Sequence, residues 1–140
     1  LIAGLGAFLK AVRPSLAVVG VEPANSAFMD ASLRAGRLVE VQEKETVADA
    51  VAGGIEPGAV TFPLCQEYVD RIVTVTEDAI RRAMSLLAQY QGRMAEGAGA
   101  LALAGLLTAA EDFRGRRILC VVSGGNIDPE RFRELAGSVP

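Results

Sequence analysis

Two rhythms of apolar residues run along the chain. Leu1, Leu5, Phe8, Leu9 and Val12 recur at helical spacing, which predicts a helix over Leu1–Val12 that Pro14 terminates. Gly4 and Gly6 each cost such a helix about 0.5–1 kcal/mol relative to alanine, so they imply close backbone packing. The continuous apolar run Leu16–Val21 reads as a strand buried on both faces. Asn25 or Ser26 then caps a helix carrying Phe28, Met29 and Leu33, with Gly36 as its stop. Leu38–Val41 is a short strand or extended segment, and Thr46 caps a short helix through Val51. Glu56-Pro57-Gly58 is a turn, and Phe62–Val69 is helical. The alternating, β-branched Arg71–Val75 predicts a strand. Thr76-Glu77-Asp78 opens the next helix with a capping hydroxyl and two acids, and Ile80, Met84 and Leu87 form its apolar face. Glu96-Gly-Ala-Gly-Ala100 is a glycine-rich junction leading into a buried helix over Leu101–Thr108. Arg117–Val122 predicts a second fully buried strand, ending in Ser123-Gly-Gly-Asn126. Asp128 and Pro129 open a last helix.

Strands alternating with helices argue for an α/β fold, a parallel twisted sheet with helices on both faces. No repeat or linker interrupts it, so residues 1–140 read as a single unit. A chain with 51% hydrophobic and 22% charged residues is globular in composition. Its net charge of -3 and pI near 5.0 offer nothing to a nucleic-acid backbone. The apolar runs are too short and too interrupted to span a bilayer, and no signal peptide is visible, which together imply a cytoplasmic protein. Cys65 and Cys120 read as buried free thiols in a reducing compartment. The absence of histidine removes imidazole acid–base chemistry, histidine triads and His-ligated zinc.

In parallel α/β sheets, ligands bind beyond the carboxyl ends of the strands. Two such ends stand out. Glu22-Pro23 places a carboxylate after the first strand. Ser123–Asn126 leaves backbone N–H groups and a hydroxyl free in a loop without bulk, which suits close approach to a flat ring or a phosphate and equally suits a tight turn. Glu96 lies either beside a ligand or at the start of a helix whose glycines serve only its packing. Asp49 reads as a site carboxylate or a surface residue, and the mixed charges of Glu43–Glu45 as solvated.

Six segments together carry a resemblance: Leu1-Ile-Ala-Gly-Leu-Gly6, Val19-Gly-Val-Glu-Pro23, Thr46-Val-Ala-Asp49, Val73-Thr-Val-Thr-Glu77, Glu96-Gly-Ala-Gly99 and Val122-Ser-Gly-Gly-Asn-Ile-Asp128. In this order and spacing the chain resembles the C-terminal part of the pyridoxal-phosphate-dependent serine/threonine dehydratases. Their fold is shared with serine racemase, tryptophan synthase β and cysteine synthase. The resemblance implies part of the large domain of a fold type II enzyme, with pyridoxal 5'-phosphate as cofactor. It implies that Ser123 hydrogen-bonds the pyridine nitrogen, that Gly124 lies against the ring, that Glu96 sits beside the cofactor, and that the Leu1 N–H is the last donor of a phosphate loop at a helix N-terminus. Ala50 stands where the motif has glycine, and its methyl bears on cofactor seating. A cation site of relatives maps onto Glu22 and Ser26, with Phe28 in place of an aspartate; so thin an oxygen set suits a weakly held monovalent ion rather than a divalent one.

The family's Schiff-base lysine and tetraglycine loop have no counterpart here. Lys10 and Lys44, the chain's two lysines, lack the required context. No catalytic residue is therefore expected within these residues, and the chain reads as a C-terminal portion whose partner is a missing N-terminal half. The implied reaction is β-elimination from L-threonine, L-serine or a related β-hydroxy amino acid, giving a 2-oxo acid and ammonia. Alternatives are a serine racemase or another β-eliminase on the same scaffold, or a non-catalytic ligand-binding or dimerisation module. A homo-oligomer, dimer or tetramer, is expected, since a parallel sheet with bare edges seeks company.

Overall fold

The computed structural model describes residues 1–137. Its framework is a parallel pair of strands, β1 (Val19–Pro23) and β2 (Arg71–Val75), in register from Val19 opposite Arg71 to Pro23 opposite Val75. Before, between and after them come α1 (Ile2–Val12), α2 (Phe28–Ala35), α3 (Thr61–Tyr68), α4 (Glu77–Gln91), α5 (Gly97–Thr108) and α6 (Pro129–Ala136).

Helices cover both faces of the pair, and glycine marks how closely. A side chain at Gly20 would lie 3.2 Å from Ile2 of α1 and 3.1 Å from Ile72. Its neighbour Val21 points to the opposite face, where its methyls occupy the space a Cβ on Gly105 of α5 would need. Gly6 brings α1 within 3.0 Å of Tyr68 on α3 in the same sense. On the α5 side the core gathers Val75, Ile80, Ala83, Met84, Leu87, Ala100, Leu101, Ala104 and Phe132. Ile80 and Met84 are fully buried, a gain of about 1.5–3 kcal/mol each over exposure.

Local chemistry sets the helix ends. The Thr76 hydroxyl accepts from the Ala79 N–H at 3.3 Å, and Gly92 closes α4 at φ 60°, in the left-handed region that glycine tolerates. Asp128 accepts from the Glu130 N–H at 2.7 Å and the Arg131 N–H at 3.3 Å, and Pro129 starts α6.

Several sequence expectations change. The first strand begins at Val19 rather than Leu16 and runs to Pro23. Leu38–Val41 forms no regular element, and the segment after Thr46 is only a 3-10 turn, Asp49–Val51. The glycine-rich junction is itself the first turn of α5, since three residues without bulk let that turn press against its neighbours. Arg117–Val122 forms no regular element and pairs with neither strand among the described residues. It lies against α5, with the Cys120 thiol 3.7 Å from the Ala102 carbonyl, and Leu119 is 85% exposed. An apolar run predicts a buried strand only if a neighbour supplies the ladder and the cover.

Candidate functional site

The Ser123–Asn126 loop is held from below by α5. The Glu96 N–H donates to the Gly124 carbonyl at 3.3 Å, the Glu96 carboxylate covers the bare Cα of Gly124, and Gly99 makes room for the Gly124 carbonyl where a Cβ would collide with it. Gly99 is thus required by the approach of the Gly124 backbone, and Gly124 leaves room for the Glu96 side chain. The Ser123 hydroxyl is exposed and has no hydrogen-bond partner among the described residues. An uncommitted hydroxyl beside a glycine on a supported loop can donate to or accept from a ring nitrogen, and the glycines leave a flat ring space to approach.

Glu96 is the N-cap of α5, yet its side chain makes no capping hydrogen bond. It lies over Gly124 instead, so the structure joins Glu96 and Gly124 in one contact. Ala50 is exposed in the 3-10 turn that packs on α5. Leu1 stands on another element, as the N-cap of α1, whose first turn rests against Gly20 of β1. Asp49 is exposed, and its carboxylate accepts from the N–H of Ala50 at 2.9 Å.

Glu22 and Ser26 are occupied structurally. The Glu22 carboxylate accepts from the N–H of Met29 at 3.0 Å and of Asp30 at 2.8 Å, capping α2 from a distance. Burial pushes its pKa up, and the two N–H donors oppose that shift. The Ser26 hydroxyl donates to Glu43 at 3.0 Å and accepts from the Gly53 N–H at 3.2 Å. Among the described residues no three acidic, cysteine or histidine side chains gather as a metal site.

The lysines are elsewhere. Lys10 pairs with Asp70 at 2.5 Å, just before β2 and so at the opposite end of the sheet from the strand exits. Asp70 also accepts from the Val18 N–H at 2.6 Å, and the Lys10 ammonium leads in holding its carboxyl below the usual range. Lys44 is exposed, its backbone N–H bonded to the Asn25 carbonyl. A surface hollow of about 320 Å³ lined by Asp78, Arg82 and Leu107 lies at the far end of α5 from Glu96 and belongs to a different region.

Sequence reasoning gave Glu77 no role beyond the first turn of α4 and did not single out Gly97. In the structure Glu77 bonds the loop containing Val47, and Gly97 receives the Val47–Ala48 peptide. A glutamate directly after a capping threonine and a glycine directly after Glu96 were the available signals; neither indicates a partner so distant in sequence.

A family model described as pyridoxal-phosphate dependent enzyme matches residues 1–124. The L-threonine ammonia-lyase of Thermotoga maritima is 41% identical over 128 residues, which cover 91% of this chain and 31% of that protein. Among solved structures, the processed form of threonine deaminase isoform 2 from Solanum lycopersicum superposes with a TM-score of 0.87 at 34% identity, covering 96% of this chain and 40% of that one. Maize serine racemase superposes with a TM-score of 0.85 at 28% identity, covering 96% and 42%. The chain thus spans less than half the length of the relatives it matches.

Proposed function

Because the chain belongs to the family of pyridoxal-phosphate dependent enzymes, we propose that it forms the ring-supporting part of an ammonia-lyase acting on L-threonine, L-serine or a related β-hydroxy amino acid. The products are a 2-oxo acid and ammonia. The carrying observation is the uncommitted Ser123 hydroxyl, set beside Gly124 on a loop that α5 supports through Gly99 and Glu96. The relatives named as threonine ammonia-lyase and threonine deaminase support the choice of reaction.

When bound, the cofactor supplies an electron sink for charge that develops at the substrate's α-carbon. Ser123 would hydrogen-bond the pyridine nitrogen. A neutral hydroxyl cannot hold a full proton on that nitrogen as a carboxylate does, which favours elimination over transamination. Gly124 and Gly125 keep the ring's approach clear, and Glu96 lies at its side. The Ala50 methyl would bear on the cofactor's seating, and the N–H of Leu1, at the start of α1, would hold the phosphate. The lysine that would hold the cofactor lies in the remainder of the protein, because Lys10 is paired to Asp70 and Lys44 lies in an exposed stretch. A homo-oligomer and a cytoplasmic setting belong to the same reading, and the two free thiols support the second.

The test uses the full-length protein. Visible absorbance of bound cofactor, formation of 2-oxo acid from L-threonine or L-serine, and loss of both the native absorbance and most activity in Ser123→Ala are expected. A protein that binds the cofactor but forms no 2-oxo acid sinks the lyase reading, and one that binds none leaves only a non-catalytic module. The likeness to serine racemase favours one second reading, racemisation, which chiral analysis of recovered serine separates from elimination.

A further inference from the structure

Glu77 occupies the first position of α4, where an acid ordinarily hangs in solvent and interacts with the helix dipole. Here it turns inward. One carboxylate oxygen accepts from the Val47 N–H at 2.7 Å, thirty residues away in sequence, and the other is buried with no hydrogen-bond partner among the described residues. Burying a carboxylate oxygen without a partner costs free energy, so this inward placement is not the cheapest one open to an exposed helix end.

The bond acts on a short loop that packs on α5 and is tied on its N-terminal side by the Asn25 side chain, which donates to the Glu45 carbonyl at 2.6 Å. The Thr46 hydroxyl accepts from the Ala48 N–H at 3.1 Å, Ala48 is fully buried, and the Val47–Ala48 peptide rests on the bare Cα of Gly97. A Cβ at Gly97 would lie 2.9 Å from the Ala48 nitrogen and closer still to Val47. Gly97 follows Glu96, whose N–H and carboxylate hold Gly124 beside Ser123. Glu77 therefore holds one end of a continuous line of contacts: Val47–Ala48, then Gly97 and Glu96, then Gly124 and Ser123. Ala50 rides on the same loop.

We infer that Glu77 is a positioning residue for the cofactor seat, its carboxylate fixing the Thr46–Val51 loop against the N-terminus of α5 and so setting Ala50 and Glu96 relative to Ser123. The inference rests on the reading of Ser123, Gly124 and Glu96 as that seat. It makes no claim on the substrate.

The experiment compares full-length wild type, Glu77→Gln, Glu77→Asp and Glu77→Ala. Three readouts are taken well below the melting temperature: amide hydrogen exchange of residues 47–50, visible circular dichroism of bound pyridoxal phosphate, and kcat and KM per bound cofactor. Glutamine keeps an acceptor for the Val47 N–H and should stay within about twofold of wild type on every readout. Aspartate is one methylene short, and alanine has no acceptor. Both should speed exchange, alter the dichroism and lower kcat by about 10-fold, the scale expected of a sub-ångström misplacement of reacting groups. Should alanine fail to fold, aspartate carries the test. Faster exchange with unchanged dichroism and kcat would mean a purely structural tie and overturns the inference, as does a glutamine variant as impaired as aspartate. A wild type lacking lyase activity defeats the proposed reaction instead, and exchange and dichroism still decide the role of Glu77. A wild type lacking bound cofactor defeats both.

Discussion

Two apolar segments lead into loops rich in small and polar residues, and the chain treats them oppositely. At the end of β1 every polar group is spent on the fold. Glu22 caps α2 through Met29 and Asp30, and Ser26 bridges Glu43 and Gly53. At the end of Arg117–Val122 the polar group is left over: Ser123 is exposed and unbonded among the described residues, while glycines and Glu96 hold its backbone in place. A group already saturated by the fold has little left for a ligand. A free group on a fixed backbone has its hydrogen bond still to make, without the cost of breaking another.

This contrast can be broken by substitution, in order of expected loss of stability. Gly97→Val forces the Val47–Ala48 peptide off α5 and should cost about 2–3 kcal/mol, the upper range for overpacking, in denaturant unfolding of the full-length protein. It should also disturb cofactor absorbance, because the displaced loop adjoins Glu96. A silent Gly97→Val would dissolve the link between that loop and the seat.

Glu22→Ala comes next. It strips the α2 N-terminus of its acceptor and should cost about 1.5–3 kcal/mol, with cofactor absorbance unchanged. A spectral change would erase the distinction between the two exits. The pH dependence sharpens the point. Burial raises the folded-state pKa of Glu22 above its unfolded value, so protonation favours the folded state. The stability it contributes is fullest below the ordinary glutamate pKa and fades as pH rises through the raised one. Subtracting the denaturation midpoints of Glu22→Gln from wild type across that window should reveal this slope; a flat difference would remove it.

Lys10→Ala removes a partly exposed ion pair and should cost at most about 1 kcal/mol, leaving cofactor binding intact. Asp70 behaves oppositely to Glu22. Its lowered pKa stabilises the fold above the unfolded value and loses that effect as pH falls through the folded one, so the Lys10→Ala deficit should shrink in acid. Cofactor loss in this variant would revive Lys10 as a candidate for the seat. Ser123→Ala should change stability least, within about 0.5 kcal/mol, because its hydroxyl makes no hydrogen bond among the described residues. Its effect should lie in the absorbance of the bound cofactor, and a large drop in stability would show the hydroxyl to be structural after all.

Much of this was legible in the residues. The α4 cap, the strand over Arg71–Val75 and the helix start at Pro129 follow from local propensity, a property of neighbours in sequence. Ser123 and Glu96 were found as strand-exit and helix-entry residues. Glu22 was found too, but as a candidate ligand; its use as a cap depends on where α2 begins, which the Asn25–Ser26 reading set early, whereas the helix starts at Phe28.

By itself, then, the sequence determined the approximate placement of α1–α6, the α4 and α6 caps, the α/β class and the ordered motifs shared with a cofactor-dependent family, because each is written in short-range periodicity and residue type. Only the tertiary structure decided which polar groups are consumed and which remain. Glu77 reaching Val47, Glu22 reaching Met29 and Asp30, and Ser123 reaching no partner among the described residues are consequences of packing between distant segments. A hydrogen bond is a relation between two places, and one residue's chemistry does not say where the other place will be.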